Sequence, residues 1–226
     1  MERRTFLNIG LAGLGTTLAM ASPAAPQFIP NPSNRKWAIL FGSWYGTARD
    51  ASIWISEGMG GIAAMIDVRQ IPDLSQNLDA IRKQHPDVFD SRQVSADLST
   101  YDHLVVGTAI HGGRGPQRLE DYISKNIDRL QSKIRGLFVV CGNLGKPPGG
   151  AQVSTYIDGY LAVICKTGAV PKKAFGGRIT KALMPEAEYK SIIDMYSKMG
   201  GPAGDFDNLS RTECLQFGHD IYAATA

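Results

Sequence analysis

The sequence predicts an α/β protein, a five-stranded parallel sheet with helices on both faces. Short apolar runs, each the length of a strand, alternate along the chain with stretches of helical periodicity. The runs are almost continuously apolar, which is typical of parallel strands that are buried on both faces. Glycine-rich loops follow the first, third and fourth runs. Together these observations indicate one parallel sheet whose connecting helices cover both of its faces.

The apolar runs and the helical stretches set the order of the elements. The predicted strands are Trp37–Phe41, Ile62–Val68, His103–Ile110, Ile134–Cys141 and Lys173–Ile179. The predicted helices are Ala48–Met59, Leu119–Leu130, Tyr156–Lys166, Ala187–Met199 and Asn208–Ala223. The polar stretch Pro72–Leu98, with one helical segment around Leu78–Lys83, is longer than a crossover needs. We therefore expect this stretch to be an excursion on the surface.

Composition places the chain among globular proteins with one buried core. It has 226 residues, 43% of them hydrophobic and 20% charged, and a formal net charge of +3. Basic and acidic residues are mixed along the sequence, so no basic stripe indicates nucleic-acid binding. Cys141, Cys165 and Cys214 are too far apart for a zinc or iron–sulfur motif. We predict buried free thiols and no metal; one disulfide is the alternative in an oxidising compartment.

The first residues have the pattern of an export signal. Arg3 and Arg4 precede a moderately apolar run that is too short to span a bilayer, and small residues suit cleavage after Ala21. The segment resembles a twin-arginine signal, which implies export of the folded protein, often with its cofactor bound, to the periplasm. A general secretory signal or a retained membrane anchor are the alternatives. The chain then divides into a signal peptide, a leader and a cofactor-binding domain: residues 1–21, 22–35 and 36–226.

The turn after the first strand has the character of a phosphate cradle. An apolar run breaks at Gly42, passes a short Ser/Gly/Thr turn and enters a helical pattern. Glycine lets the backbone approach an anion, and the unpaired N–H groups that open the helix point at it. An ordinary strand-to-helix loop is the alternative. The candidate cofactor-binding residues here are Ser43, Trp44, Tyr45, Gly46, Thr47 and Ala48.

The two further glycine-rich loops point to the same ligand. With the strand order 2-1-3-4-5, one of the two common orders for such sheets, all three loops meet at one edge of the sheet. Five strands and this placement of the loops favour flavin mononucleotide (FMN) over a dinucleotide. The Gly-x-Gly-x-x-Gly fingerprint of dinucleotide sites is not met after Phe41.

Four segments make the chain resemble a known family. They are the Phe41-Gly42-Ser43 turn with Gly46 and Arg49, Tyr101-Asp102 leading to Gly107-Thr108-Ala109-Ile110, Asn143-Leu144 with Lys146-Pro147, and Lys198-Met199-Gly200-Gly201. Across roughly Trp37 to Tyr222 the chain resembles the flavodoxin-like, menaquinone-dependent protoporphyrinogen dehydrogenase family. The resemblance implies a flavodoxin-like fold and FMN as the cofactor.

The resemblance also implies where the flavin ring lies. Backbone amides of the second and third loops would flank it, and the residues concerned are Thr108, Ala109, Ile110, Gly112, Gly113, Gly142, Asn143, Leu144 and Gly145. The sequence departs from the family at Ala48, where members carry a hydroxyl residue, so one phosphate hydrogen bond is missing. Trp44 and Tyr45 replace smaller or polar residues. They either stack on the cofactor or fill the gap between loop and leader.

Two ionisable side chains of the second loop, His111 and Arg114, are the candidate catalytic residues. Positive charge beside the flavin would stabilise its anionic reduced ring and raise its reduction potential. A solvated loop charge is the alternative for each of them.

Two functions are open at this stage. The first is an exported FMN-dependent dehydrogenase that takes electron pairs from a small organic substrate and gives them to a quinone or another redox partner, with peripheral membrane contact. The second is a flavodoxin-type electron shuttle without substrate chemistry of its own. The net positive charge argues against the acidic rim of shuttle flavodoxins. The long stretch after the fourth strand is able to cover a substrate pocket, so the sequence favours the enzyme.

Overall fold

The computed structural model describes residues 34–70 and 97–225, and a parallel sheet lies at its centre. The strands are β1 (Trp37–Gly42), β2 (Ala63–Asp67), β3 (His103–Ile110), β4 (Ile134–Cys141) and β5 (Lys172–Gly176). They pair in parallel in the order β2-β1-β3-β4-β5, which confirms the predicted fold class. The carboxyl ends of β1 and β3 are neighbours at the point where the strand order reverses, where such sheets bind ligands.

Helices cover both faces of this sheet, as predicted. They are α1 (Thr47–Gly58), α2 (Gln117–Leu130), α3 (150–164), α4 (Glu186–Lys198) and α5 (Arg211–Ala223). Side chains of α2 and α3 join one buried cluster, and side chains of α1 and α5 join the other. α4 belongs to neither cluster. It lies at the carboxyl edge of the sheet, where its side chains meet the loops.

The two clusters lie on opposite faces because successive side chains of a strand point in opposite directions. In β1, Ala38 and Leu40 belong to the cluster beneath α2 and α3, whereas Ile39 and Phe41 belong to the cluster beneath α1 and α5. All four side chains are almost completely buried. This double burial explains why the strands read as continuous apolar runs rather than as alternating ones.

The prediction of one strand over Lys173–Ile179 is wrong. The chain leaves the sheet after Gly176, and a second short strand, β6 (Arg178–Ile179), pairs antiparallel with β7 (Phe206–Asp207). At Gly176 the backbone packs directly against Asn208, which follows β7. A Cβ at this position would lie only 2.1 Å from the carbonyl oxygen of Asn208, so no side chain fits there. The ribbon of β6 and β7 extends beyond the carboxyl edge of the sheet and was not predicted.

Two helices differ most from their predicted bounds. The helix expected over Tyr156–Lys166 spans residues 150–164, and its central part, Val153–Leu161, is π-helical. The last helix starts at Arg211 rather than at Asn208, because the Ser210 hydroxyl accepts a hydrogen bond from the Glu213 N–H (3.3 Å) and caps it.

The predicted export signal and the helical segment around Leu78–Lys83 lie outside the described residues. In residues 34–70 and 97–225, no helix combines the length and the apolar character that crossing a membrane requires.

Candidate functional site

A cavity of about 290 Å³ lies where the carboxyl ends of the central strands meet the segment that follows β5. Loop one (43–46), loop two (111–116) and loop three (142–149) follow β1, β3 and β4. The segment 177–202, which we call the cover segment, contains β6 and α4. The lining residues from the loops and the strand ends are Trp44, Tyr45, Thr47, Ala109, Ile110, His111, Gly112, Val140 and Gly142. Those from the cover segment are Gly177, Arg178, Ile179, Met184, Ser191, Ile192, Met195 and Tyr196.

Loop one is built to leave space at the start of α1. Gly46 has a φ of +86° and immediately precedes the helix. A Cβ at Gly46 would meet a single neighbouring atom within 4 Å, Arg49 Nη2, at 4.0 Å. Among the described residues, no side chain caps the first turn of α1, so its N–H groups stay available to an anion. The Ser43 hydroxyl accepts a hydrogen bond from the Gly46 N–H (3.0 Å) and fixes the turn itself.

Loop two presents one of its two ionisable side chains to the cavity. The backbone N–H and C=O groups of His111 and Arg114 exchange hydrogen bonds of 2.8 and 3.2 Å, which makes a tight turn. Gly112 and Gly113 complete it with φ values of +58° and +86°, and a Cβ on either would meet open space. The His111 ring lies 5.4 Å from the Trp44 ring, measured between centroids.

Arg114 faces the other way. Its guanidinium pairs with Glu120 of α2 at 2.5 Å, and its side chain is 63% exposed. Arg114 does not line the cavity. The positive charge that Arg114 was predicted to supply to a flavin is therefore directed at Glu120, and its role towards the cofactor stays a prediction.

Loop three is held in an unusual backbone conformation. Asn143, Leu144 and Gly145 have consecutive positive φ values of 41°, 54° and 72°. The Asn143 side chain accepts a hydrogen bond from the Gln152 amide at 2.8 Å and donates one to the Pro147 carbonyl at 3.1 Å. These bonds fix the loop. Gly142 alone of this loop lines the cavity.

The cover segment is attached to the loops at both ends of α4. The Tyr45 hydroxyl donates a hydrogen bond to Glu188. At the other end, the Tyr196 hydroxyl packs directly against Gly142 of loop three. A Cβ on Gly142 would lie only 2.3 Å from the hydroxyl oxygen. The Tyr196 ring also stacks on Phe206 of β7, with 5.9 Å between centroids and 22° between the planes.

Arg178 fastens β6 to the rest of the site. Its guanidinium forms an ion pair with Asp50, in the first turn of α1, and lies 3.5 Å from Asp207 of β7. Since Arg178 also lines the cavity, its two carboxylate partners balance a positive charge that would otherwise dominate that wall.

The structure divides the predicted cofactor-binding residues into two groups. Trp44, Tyr45, Thr47, Ala109, Ile110, Gly112 and Gly142 line the cavity, as does His111. The residues that do not line it are Ser43, Gly46, Ala48, Thr108, Gly113, Asn143, Leu144 and Gly145. Ala48 and Thr108 are completely buried. The Thr108 hydroxyl donates to the Ala109 carbonyl at 3.1 Å.

The cover-segment residues were missed because helical periodicity predicts α4 but not the surface against which it packs. The one signal in the sequence was the Gly176-Gly177 pair, which marks the point where the chain leaves the sheet.

The three cysteines are free and buried, as predicted. Burial raises the pKa of the Cys141 thiol to about 11 and the pKa of the Cys165 and Cys214 thiols to about 12. They are protonated at neutral pH and are not nucleophiles. In the part of the chain that the structure describes, no group of three or more His, Cys, Asp or Glu side chains is placed to hold a metal ion.

Comparison with known proteins identifies the family. The sequence model of the Flavodoxin domain family matches residues 73–207. The chain belongs to the Flavodoxin domain family. No curated protein sequence matches it.

Several solved structures are similar to this chain at low sequence identity. The flavodoxin-type WrbA-like protein from Agrobacterium tumefaciens is 14% identical; the match covers 84% of this chain and 96% of that chain, with a TM-score of 0.45. The Flv1 flavodiiron core from Synechocystis sp. PCC6803 is 12% identical over 84% of this chain and only 36% of that chain (TM-score 0.43). A flavoprotein in complex with FMN from Lactobacillus acidophilus NCFM is 13% identical over 72% and 99% (TM-score 0.37).

Family and strand order together identify FMN as the cofactor, since flavodoxins of this strand order bind FMN at the β1/β3 switch point. The residues present fit its phosphate. Gly46 leaves open space, the first turn of α1 has no side-chain cap, and Thr47 lines the cavity beside it. The glycines of loop two likewise let the backbone approach a flat ring.

Proposed function

We propose that the protein is an exported FMN-dependent oxidoreductase that moves electron pairs between a small organic substrate and a quinone or another carrier, related to protoporphyrinogen dehydrogenase. The observation that carries this proposal is the cover segment, which closes one side of the cavity at the flavin edge of the sheet. When bound, FMN supplies the redox chemistry, and the protein's contribution is to bind, orient and shield it.

The lining of the cavity supports an apolar partner. Met184, Ile192 and Met195 of the cover segment face the cavity together with Ile110 and Val140 of the strands. Such a wall suits a flat, largely uncharged organic molecule, whereas His111 and Arg178 provide polar contacts at its margin. We propose on this basis that the substrate or acceptor is an apolar ring compound of the quinone type.

An electron shuttle is the second candidate, and one observation favours it. Trp44, Leu183, Met195 and Met199 are 38%, 50%, 47% and 61% exposed, and they lie on loop one and the cover segment. Exposed apolar side chains near a redox site suit the docking of a protein partner or peripheral contact with a membrane.

Reductive titration of the FMN-loaded protein separates these candidates. An enzyme that handles electron pairs takes up two electrons in one step, so spectra pass directly from the oxidised to the fully reduced form. It is then reoxidised by a soluble quinone. A stepwise uptake of single electrons with no reoxidation by quinone would support the shuttle instead.

The phosphate site is tested by one substitution and its control. Gly46→Val places a branched side chain where the phosphate would approach, and should abolish FMN binding. Gly61→Val is the matched control, because Gly61 also has a positive φ (+73°) and open surroundings but lies after α1, away from the cavity. Losing the ligand removes about 4 kcal/mol of stabilisation at a thousandfold excess over Kd. Full FMN occupancy in Gly46→Val would refute the assignment.

We also propose that export uses the twin-arginine route and delivers the protein to the periplasm. Replacing Arg3 and Arg4 by lysine keeps both charges but removes the planar guanidinium groups, which a receptor for arginine would distinguish. Periplasmic protein, quantified after cell fractionation, should disappear in this double variant. A general secretory signal would tolerate the change, so undiminished export would contradict the proposal.

A further inference from the structure

One carboxylate joins three segments around the cavity. Glu188 lies in the first turn of α4. Its Oε2 accepts a hydrogen bond from the Tyr45 hydroxyl of loop one. Its Oε1 lies 3.4 Å from Nε2 of His111 in loop two. Loop one and loop two follow different strands, so Glu188 links both of them to the cover segment.

The protonation of Tyr45 suits this contact. Burial raises the pKa of the Tyr45 phenol, and the hydrogen bond to Glu188 and the negative charge of Glu188 raise it further. The phenol therefore stays protonated and donates to the carboxylate. Hydrogen bonds with one ionised partner are about twice as strong as neutral ones. The His111 ring adds an ion pair whenever it is protonated.

Besides Glu188, one other polar side-chain contact within the described residues holds the amino-terminal half of α4, the hydrogen bond that the Tyr189 hydroxyl donates to Asp205. Ile193 is the one buried residue of this helix, whereas α2 buries Leu119, Ile123, Ile127 and Leu130. Elements that bury few apolar side chains open most readily. The carboxyl-terminal half of α4 has its own attachment, because Tyr196 packs against loop three and β7.

We propose that Glu188 is a positioning residue that latches the amino-terminal half of α4 over the cavity, and that release of Tyr45 and His111 opens the cavity to its ligand. The helix then moves about the attachment at Tyr196. The identity of the ligand rests on the proposed flavin site. The latch itself is a property of the protein without ligand, so the two can be tested separately.

Hydrogen exchange of the ligand-free protein tests the latch. In Glu188→Ala, the backbone amides of residues 189–192 should exchange about tenfold faster than in the wild type, because the charged contacts are lost. The amides of residues 196–199 should change less. Tyr45→Phe should also speed exchange, but less than Glu188→Ala does, because the contact between His111 and Glu188 remains. Glu188→Gln, which keeps an acceptor for the phenol, should likewise have an intermediate effect. Glu186→Ala is the control, since Glu186 is exposed in the same helical turn and does not line the cavity.

Stopped-flow binding of FMN tests the consequence. Glu188→Ala should raise both the association and the dissociation rate constants of FMN about tenfold, whereas Glu186→Ala should match the wild type. Wild-type exchange in both Glu188→Ala and Tyr45→Phe would overturn the latch, as would faster exchange with unchanged association of FMN. If neither the wild type nor any variant binds FMN but exchange is faster in Glu188→Ala and Tyr45→Phe, the latch stands and the flavin site is refuted.

Discussion

At the scale of single residues, the two basic side chains of loop two differ in what they can do to a bound flavin. His111 lines the cavity, whereas Arg114 is paired with Glu120 outside it. A charge that lies outside the cavity on a side chain 63% exposed to solvent contributes little at a distance, since water screens it. The sequence showed two ionisable residues in one loop. It did not show that Glu120, one turn into α2, would hold one of them.

We therefore expect His111→Gln to lower the reduction potential of bound FMN more than Arg114→Gln does. Removing a positive charge beside the flavin destabilises the anionic reduced ring, at about 30 mV for each 1.4 kcal/mol of lost interaction. Spectroelectrochemical titration of both variants measures the two reduction potentials. A larger fall in Arg114→Gln would show that its charge reaches the flavin despite Glu120.

At the scale of elements, the strands were predictable and the placement of α4 was not. β1, β3 and β4 are buried on both faces, so each reads as an apolar run bounded by polar residues or glycine. β5 was predicted too long because its exit from the sheet depends on contact with Asn208, distant in sequence. Loops one and two could be assigned to the site from strand ends alone. The opposite wall of the cavity could not, since it depends on tertiary packing.

Close packing of α1 against α5 gives a prediction at this scale. A Cβ on Gly218 of α5 would lie 2.1 Å from the carbonyl oxygen of Ile55, and a Cβ on Gly58 of α1 would lie 2.0 Å from that of Leu215. Gly218→Ala should therefore force the helices apart and destabilise the protein by about 1–3 kcal/mol, although alanine is the better helix former.

Urea denaturation measures this loss, with Gly150→Ala as the control. Gly150 is exposed at the start of α3 and has open space around it, so its substitution should leave the midpoint unchanged or slightly raised. Equal midpoints for Gly218→Ala and the control would show that the helix pair absorbs the extra methyl group.

At the scale of the whole molecule, the two edges of the sheet carry separate chemistry. The carboxyl edge holds the proposed flavin site, and the amino edge holds a buried histidine, His103, at the start of β3. His103 is 3% exposed, its ring lies 4.6 Å from the Trp37 ring, and its Nε2 is 2.8 Å from Arg35 Nη1. The imidazole therefore accepts a hydrogen bond from a guanidinium, which requires the neutral ring.

This arrangement makes stability fall with acid through His103. Burial lowers the pKa of His103 below its ordinary value of 6.5, and the charges of Arg135 and Arg35 lower it further. The unfolded chain thus binds the proton more tightly, so stability is full above the unfolded pKa and is lost as the pH falls through the folded pKa. Each tenfold difference in proton affinity is worth about 1.4 kcal/mol.

In His103→Gln, the fall in unfolding free energy between pH 7.5 and pH 5, measured with urea, should be smaller than in the wild type, because glutamine does not titrate. FMN affinity at pH 7.5 should be unchanged, since the flavin site lies at the opposite edge of the sheet. An equal fall in both proteins would mean that His103 is not the acid-sensitive group, and altered FMN affinity would mean that the two edges are coupled.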